Sequence, residues 1–264
     1  MRRFGAKIKV FRPSRPAPDA WTARSGRITA RNMTHRPTLL LLPGLLCDAR
    51  LWRDQAAALA PLARPVVADL TQDDRVEAMA ARALAAVEGP FALAGLSMGG
   101  YVALEIMRRA PERVTRLCLL DTSARADTAE QSRRRRGLIS LSRSGQFRGV
   151  TPRLLPQLIH PARLDGPLAA EVMEMAERVG KDAFLRQQEA IVHRPDSRPD
   201  LARIAVPTLV GVGAEDALTP PALAEEMAAM IPGARLRRFA DAGHLPTMET
   251  PEAVNAALAA WLVG

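Results

Sequence analysis

The stretch Phe91-Ala-Leu-Ala-Gly-Leu-Ser-Met-Gly-Gly100 decides how the rest of the chain is interpreted. Residues 91–94 are apolar and predict a buried strand, and residues 101–109 predict a helix. Between them Gly95, Ser97 and Gly99 form a G-x-S-x-G pattern. A serine on so sharp a turn has a strained backbone, and its neighbours two residues away on either side come close together. Glycine at both neighbouring positions removes the Cβ atoms that would clash.

The strand, the glycine-bracketed serine and the helix together describe a nucleophile elbow. The turn lifts the Ser97 hydroxyl above the sheet, and free N–H groups at the helix N-terminus point towards any negative charge that forms there. The G-x-S-x-G pattern alone is a weak signal, because glycine and serine are common in loops. Set between this strand and this helix it is a strong one, although an ordinary turn serine remains the alternative.

Length and composition indicate one α/β domain with room for an inserted subdomain. The chain has 264 residues, of which 48% are hydrophobic and 25% charged, as in ordinary globular proteins. Cys47 and Cys118 give no disulfide framework, so we expect a reducing, cytoplasmic setting. No apolar run approaches the length of a membrane span. No H-E-x-x-H motif, clustered Cys/His pairs or Gly-rich phosphate loop is found, so no metal and no cofactor are expected.

The positive charge is concentrated at the start of the chain. The formal net charge is +9, but residues 1–32 carry nine basic side chains and one acid, a net of +8 that leaves +1 for the remainder. Residues 1–33 contain three prolines and no sustained periodicity, and we interpret them as a basic disordered extension. Binding of this tail to nucleic acid or anionic lipid, a transit peptide, and Met33 as the true start are hypotheses that stay open.

Beyond the extension, apolar strands alternate with helices. Continuous apolar strands separated by helices predict a mostly parallel sheet with helices on both faces. Strands are expected at 38–42, 66–68, 91–94, 114–120, 207–212 and 235–239. Helices are expected at 49–60, roughly 74–88 and 101–109, from an N-cap at Thr219 with Pro220 at the first position, and from Thr250 and Pro251 to the end.

This alternation breaks between residues 123 and 201, where no convincing buried strand is found. Helical pieces in this range are divided by prolines and carry apolar faces at helical spacing. We interpret the range 123–201 as a helical cap, which divides the α/β core into residues 34–122 and 202–264. The run from Arg133 to Arg136 within the cap is interpreted as a solvated helix face.

A serine hydroxyl is a poor nucleophile until a base removes its proton, and the expected base is a histidine oriented by a carboxylate. Of four histidines, His244 lies in a glycine-containing loop between the last strand and the last helix, at the expected carboxyl edge of the sheet. Asp216 follows the strand at 207–212. Asp121 follows the strand at 114–120 and is the rival carboxylate. The favoured set is Ser97, Asp216 and His244.

The chain order of these three residues, the elbow, the Gly-x-Glu-Asp loop ending at Asp216 and the Gly-His-Leu-Pro segment around His244 resemble the α/β-hydrolase superfamily over nearly all of residues 38–263. Within it the chain is most similar to capped serine esterases and lactone hydrolases. The resemblance implies Ser97 as the nucleophile, His244 as general base and acid, and Asp216 as its orienting partner.

The same resemblance implies an oxyanion hole made by the backbone N–H groups of Leu45 and Met98. Many members carry His-Gly at the first oxyanion loop, where this chain has Pro43-Gly44. Because the donor is a backbone group, function should survive this difference. Leu46 and Trp52 are predicted to contact the substrate, in an apolar pocket that suits a small or medium acyl group.

The resulting expectation is a serine hydrolase that cleaves a carboxylic ester, lactone or thioester through an acyl-enzyme on Ser97. Its partner would be a small-molecule substrate, with no nucleic acid and no membrane. Acyltransferases, lyases and cofactor-free peroxidases use the same fold, and a hydrolase-like receptor could retain all three residues and mainly bind a ligand. These alternatives remain open at the level of sequence.

Overall fold

The computed structural model describes residues 36–264, so the predictions made for the extension over residues 1–33 lie outside the described residues. The described part forms a six-stranded parallel sheet with the strand order β2-β1-β3-β4-β5-β6. The strands are β1 (Thr38–Leu42), β2 (Arg64–Val67), β3 (Phe91–Leu96), β4 (Val114–Leu120), β5 (Thr208–Gly213) and β6 (Arg235–Phe239).

Helices connect the strands and fill the gap between β4 and β5. The α-helices are α1 (Arg53–Leu59), α2 (Val76–Ala85), α3 (Met98–Arg109), α4 (Ala129–Leu141), α5 (Pro167–Val192), α6 (Arg198–Leu201), α7 (Pro221–Met230), α8 (Pro246–Glu249) and α9 (Pro251–Val263). Shorter 3₁₀ turns span Ala49–Trp52, Pro111–Arg113, Leu155–Gln157 and Pro161–Arg163, and a π-helical turn spans Ser142–Gln146. None of the helices within residues 36–264 has the length and apolar character needed to cross a membrane.

Alternating side chains of the strands build two cores, one on each face of the sheet. In β1, Leu40 and Leu42 join the core that contains residues of α2, α3 and α7. Leu39 and Leu41 point to the opposite face and join residues of α1 and α9. Because successive strand side chains alternate faces, a strand buried on both sides is apolar throughout. The expected parallel sheet with helices on both faces is confirmed.

The cap supplies α4, α5 and α6, and the described residues between β4 and β5 contain no strand. Helix α4 begins at a capping box in which Thr128 and Gln131 satisfy each other's backbone N–H groups. Helix α5 is interrupted at Gly180, whose φ of 79° is one that glycine adopts without steric cost. The inserted helical cap is therefore a feature of the fold.

Two local predictions are wrong. The expected N-cap at Thr219 is displaced, because α7 begins at Pro221 with Pro220 as its N-cap residue. The Thr219 hydroxyl instead donates to the Asp216 carboxylate at 2.5 Å. The helix expected over 49–60 is a 3₁₀ turn followed by α1, and the short α8 was not anticipated.

Candidate active site

Ser97 occupies the sharp turn between β3 and α3, with φ 55° and ψ −117°. A Cβ on Gly95 would lie 2.3 Å from the Gly99 carbonyl oxygen, so the two flanking positions meet as expected. A Cβ on Gly99 would lie 2.1 Å from the carbonyl oxygen of Leu42, at the end of β1. Glycine at 99 is therefore required by the neighbouring strand as well as by the turn itself.

Hydrogen bonds fix the backbone of Ser97 on both sides. Its N–H donates to the Leu120 carbonyl at 3.0 Å, and its carbonyl accepts from the Thr122 hydroxyl at 2.7 Å. Both partners belong to β4 and the residues directly after it. These bonds offset the cost of a left-handed backbone at a residue with a side chain, which is of order 1–3 kcal/mol. The elbow is thus held by its neighbouring strand.

His244 lies in the loop after β6, and its Nε2 is 2.9 Å from the Ser97 Oγ. The loop is held by the buried Glu249 of α8, whose Oε1 accepts from the N–H groups of Gly243 at 2.9 Å and Leu245 at 3.1 Å. The other Glu249 oxygen accepts from the N–H of His160 in the cap at 2.6 Å. Burial raises the pKa of the Glu249 carboxyl, although these three backbone bonds oppose the rise. One carboxyl group therefore ties the His244 loop to the cap.

Asp216 lies in the loop after β5, and its Oδ2 is 2.9 Å from the His244 Nδ1. Its Oδ1 accepts from the N–H groups of Leu218 at 2.8 Å and Thr219 at 3.0 Å. Burial acts to raise the pKa of this carboxyl, but the charge of His244 and hydrogen bonds from His244 and Thr219 outweigh it, so the pKa lies below its usual value. Asp216 is therefore an ionised carboxylate facing the imidazole.

The rival carboxylate, Asp121, lies directly after β4 and is also fully buried. Its Oδ1 accepts from the Gly213 N–H at 2.7 Å. Asp121, Asp216 and His244 each place one atom within 4.8 Å of the others. Both ring nitrogens of His244 are engaged by Ser97 and Asp216, and no hydrogen bond joins His244 to Asp121 among the described residues. The geometry therefore brings together Ser97, His244 and Asp216.

The loop after β1 places Leu45 and Leu46 beside the elbow. The Leu46 N–H is occupied, since it donates to the Gln187 Oε1 at 3.0 Å, and the Cys47 N–H donates to the Gly44 carbonyl at 3.2 Å. For the N–H groups of Leu45 and Met98, no acceptor is found in the part of the chain that the structure describes. The assignment of these two N–H groups to an oxyanion hole stays a prediction.

The two predicted substrate contacts have different positions. Leu46, which is 6% exposed, packs against Ala176 and Phe184 of α5, at the junction of the oxyanion loop and the cap. Trp52 has no exposed surface and packs in the core beneath the sheet with Leu39 and Leu41. A side chain with no accessible surface lines no open pocket, so the expectation that Trp52 contacts substrate is wrong in this conformation. Trp52 is instead a core residue, whose large apolar ring is buried.

Cys47 does not form a competing nucleophilic site. Burial raises the pKa of its thiol to about 12, and the nearby Asp48 charge adds to the rise. Since the thiolate is the reactive form, this cysteine is inert near neutral pH.

Three residues that hold the site were missed by sequence reasoning. The Asp216 side chain accepts from the N–H of Leu218 two residues on, as in an Asx turn, and this local signal could have pointed to the contact with Thr219. Glu249 and Gln187 act only through contacts that folding creates. Gln187 is fully buried and joins three parts of the chain, because its Nε2 also donates to the Leu70 carbonyl at 3.1 Å. No local pattern marks either residue.

Comparisons with known proteins identify the family. The model of the alpha/beta hydrolase family matches residues 39–257. A pimeloyl-[acyl-carrier protein] methyl ester esterase of Neisseria meningitidis is 32% identical over 195 residues, which cover 72% of this chain and 76% of that protein. A protein of Mycobacterium tuberculosis named as a non-heme bromoperoxidase is 33% identical over 175 residues, covering 64% of this chain and 66% of its own.

A solved structure of a thermophilic esterase from Thermogutta terrifontis is 31% identical and has a TM-score of 0.78. The likeness covers 86% of this chain and 90% of that one. The family match includes the elbow and the loops that carry Asp216 and His244. The chain therefore belongs to the alpha/beta hydrolase family and is a hydrolase.

Proposed function

We propose that the protein cleaves a carboxylic ester, lactone or thioester through an acyl-enzyme on Ser97. The observation that carries this proposal is the continuous line of contacts from the Ser97 Oγ to the His244 Nε2 at 2.9 Å and from the His244 Nδ1 to the Asp216 Oδ2 at 2.9 Å. A base within hydrogen-bond distance of the hydroxyl, itself oriented by a carboxylate, is the arrangement that activates serine.

In the first half-reaction the Ser97 Oγ attacks the substrate carbonyl carbon while His244 Nε2 takes the hydroxyl proton. The resulting tetrahedral intermediate carries a negative oxygen, which the N–H groups of Leu45 and Met98 can bind. His244 then gives its proton to the departing alcohol or thiol, and the acyl group remains on Ser97. Asp216 stabilises the transient imidazolium and fixes its tautomer.

In the second half-reaction a water molecule replaces the alcohol. His244 takes a proton from the water as it attacks the acyl carbon, and returns that proton to Ser97 when the acid leaves. The elbow assists both steps, because Met98 is the first residue of α3 and its N–H lies at the positive end of that helix. Loss of one oxyanion donor typically costs about 10²–10³ in rate.

The acyl group would contact the apolar surface between the oxyanion loop and the cap. This surface is formed by partly buried side chains that pack against the buried Leu46, Ala176 and Phe184, namely Leu45, Phe147, Val150, Val179 and Leu185. Phe147 and Phe184 form a tilted ring pair with centroids 5.2 Å apart. An apolar wall of this kind favours uncharged acyl chains over charged ones, and we expect chains of small or medium length.

The test is turnover of p-nitrophenyl acetate, butyrate and octanoate by the purified protein beside a Ser97→Ala variant. We expect multiple turnovers in wild type and none in Ser97→Ala. The preferred substrate would show which acyl-chain length the pocket accepts. Activity that survives in Ser97→Ala would refute the proposed mechanism. Tight binding with a single, stoichiometric cleavage would instead favour the receptor alternative.

A second candidate is an ester presented on an acidic carrier protein, and a charge asymmetry of the cap favours it. Residues 129–163 carry eight arginines and one glutamate, a net of +7, whereas the rest of residues 33–264 has a net of −6. Arg133, Arg134 and Arg136 are exposed and have no ion-pair partner in the part of the chain that the structure describes. Arg136 and Arg143 line a cleft of about 420 Å³ beside His193. The Neisseria relative is named for an ester on a carrier protein.

Replacing Arg133, Arg134 and Arg136 together by serine tests this candidate. We expect kcat/KM for an ester linked to an acidic carrier to fall at least about tenfold, because complementary charge mainly accelerates encounter. The free ester should be cleaved within about twofold of the wild-type rate. A control that removes Arg53, Arg203 and Arg238 from the body should affect neither substrate. Equal loss on both substrates would reject a docking role.

A further inference from the structure

Asp121 is a buried carboxyl group that the proposed mechanism does not use. It follows β4 as Asp216 follows β5, and the two strands are neighbours in the sheet. One of its oxygens accepts from the Gly213 N–H at 2.7 Å. The other, Oδ2, is buried and has no hydrogen-bond partner in the described part of the chain as long as both carboxyls are ionised. A buried carboxylate oxygen without a donor is costly, so this atom requires an explanation.

The surroundings of Asp121 are predominantly negative. Asp216 and His244 place atoms within 4.8 Å of it, and the Asp216 carboxyl is close enough for a direct hydrogen bond if one proton is shared. Glu249 of α8 adds further repulsion, and the buried thiol of Cys118 on β4 is neutral. The Nδ1 of His244 is already bonded to Asp216 and offers no hydrogen bond to Asp121. Two ionised carboxylates so placed would repel each other strongly.

A proton on Asp121 lets its Oδ2 form a hydrogen bond and removes the repulsion between the two carboxylates. Burial, followed by the charge of Asp216, raises the pKa of Asp121 well above its ordinary value, whereas the pKa of Asp216 is lowered. The two carboxyls therefore divide one proton unequally, and it resides on Asp121, the group that has no hydrogen bond to the imidazole. A protonated Oδ2 becomes a donor, and the Asp216 carboxylate beside it can accept that hydrogen bond.

We propose that Asp121 is a neutral positioning residue whose carboxyl O–H donates to Asp216 and holds that carboxylate against His244 Nδ1. The inference rests on the proposed function, because it extends the line of contacts from Ser97 through His244 and Asp216 by one member. The donated bond spreads the negative charge of Asp216 and limits how strongly it stabilises a protonated His244. Asp121 contacts no reacting atom and acts only through Asp216.

Asparagine at position 121 is the sharp test, because its amide copies a protonated carboxyl. Its oxygen can accept from Gly213 and its NH₂ can donate to Asp216. Asp121 has a φ of 44°, and asparagine tolerates this left-handed backbone well. Asp121→Asn should keep kcat/KM for p-nitrophenyl butyrate within about threefold of wild type, with the acidic limb of its pH profile unmoved.

Asp121→Ala removes the donor and gives the contrasting result. We expect kcat to fall about 10- to 100-fold, the range of a lost hydrogen bond to a charged group, with KM little changed. The acidic limb should move to higher pH, since a less neutralised Asp216 stabilises protonated His244 more. If Asp121 were ionised instead, Asp121→Asn would remove a negative charge and move that limb to lower pH. That shift, or a loss in Asp121→Asn equal to that in Asp121→Ala, overturns the proposal.

A readout independent of turnover separates this proposal from the proposed function. An acid whose pKa is raised by folding loses stability as pH rises from its unfolded pKa towards its folded one. The thermal midpoint of Asp121→Asn relative to wild type should therefore increase as the pH rises above about 4, the unfolded pKa of an aspartate. A constant or falling difference overturns the proposal even if no ester is cleaved. Ser97→Ala, assayed in parallel, reports separately on the nucleophile.

Discussion

The carboxyl edge of the sheet and the cap differ in which side chains they bury and which they expose. At the sheet edge, polar side chains are buried and multiply bonded: Asp216 alone accepts four hydrogen bonds, from Leu218, Thr219 and His244. In the cap, α4 exposes apolar side chains, with Leu138 40% and Leu141 50% accessible, beside a run of arginines. The polar side chains at the sheet edge are buried, whereas the side chains of α4 are mostly exposed to solvent. We infer that the first determines the chemistry and the second the choice of substrate.

The largest effect on activity is expected from a substitution at the carboxyl edge of the sheet. Asp216→Asn should lower kcat about 10⁴-fold, because the amide favours the wrong tautomer of His244 while leaving the geometry intact. Steady-state kinetics with p-nitrophenyl butyrate measure this loss. Asp182→Asn, at an exposed carboxylate on α5, serves as the matched control and should be silent. A loss below about tenfold would show that Asp216 is not the partner of His244.

Alanine substitutions at one glycine of the sheet edge and one of the cap test the contrast between the two regions through the free energy of unfolding. In Gly99→Ala the new methyl would meet the Leu42 carbonyl oxygen, and we expect the free energy of unfolding to fall by about 3 kcal/mol. In Gly137→Ala, on α4, nothing lies within 4 Å, and helix propensity should add about 0.5–1 kcal/mol. Urea unfolding measures both. Similar effects at the two positions would contradict the contrast drawn between sheet edge and cap.

Gln187 is where the two regions are joined, and its loss should have an intermediate effect. Gln187→Leu leaves the buried Leu46 N–H and Leu70 carbonyl without their partner, which should cost about 1–3 kcal/mol of unfolding free energy. A freed Leu46 N–H also loosens the loop that carries Leu45, so KM or kcat should change with acyl-chain length. Activity and urea midpoint both equal to wild type would remove Gln187 from this role.

The smallest effect is expected at Cys47. With a thiol pKa of about 12, the thiolate fraction at pH 8 is about 10⁻⁴, so iodoacetamide should neither label the folded protein nor inhibit it. Both cysteines should react once urea unfolds the chain. Rapid labelling of Cys47 with loss of activity would mean that the loop beside the elbow is open in solution.

Much of the fold was predictable because its signals are local. Apolar strands such as Val114–Leu120 and the glycine spacing around Ser97 depend on neighbours in sequence, and both were located correctly. The expected positions of Asp216 and His244 at strand ends followed from the parallel sheet, and the structure brings them to Ser97, although their roles remain a proposal. Parallel strands gather their carboxyl ends at one edge, which makes such positions predictable.

What the sequence did not reveal depends on distant contacts. An apolar residue such as Trp52 can lie in a core or line a pocket, and the sequence did not decide between the two; the fold places its ring in the core. Glu249 holds the His244 loop to the cap, and nothing in its surrounding sequence distinguishes it from a solvated helix residue. Asp121 and Asp216 have similar sequence settings, and only their packing gives them opposite protonation. Burial and partner charge are properties of the folded chain.

The central claim is that Ser97 becomes acylated during turnover. The direct measurement is the intact mass of protein quenched in acid during hydrolysis of p-nitrophenyl butyrate, followed by peptide mapping. We predict a single butyryl group on the peptide containing Ser97, absent from Ser97→Ala. Turnover without any adduct in wild type, or an adduct of the same size that persists in Ser97→Ala, would contradict the mechanism.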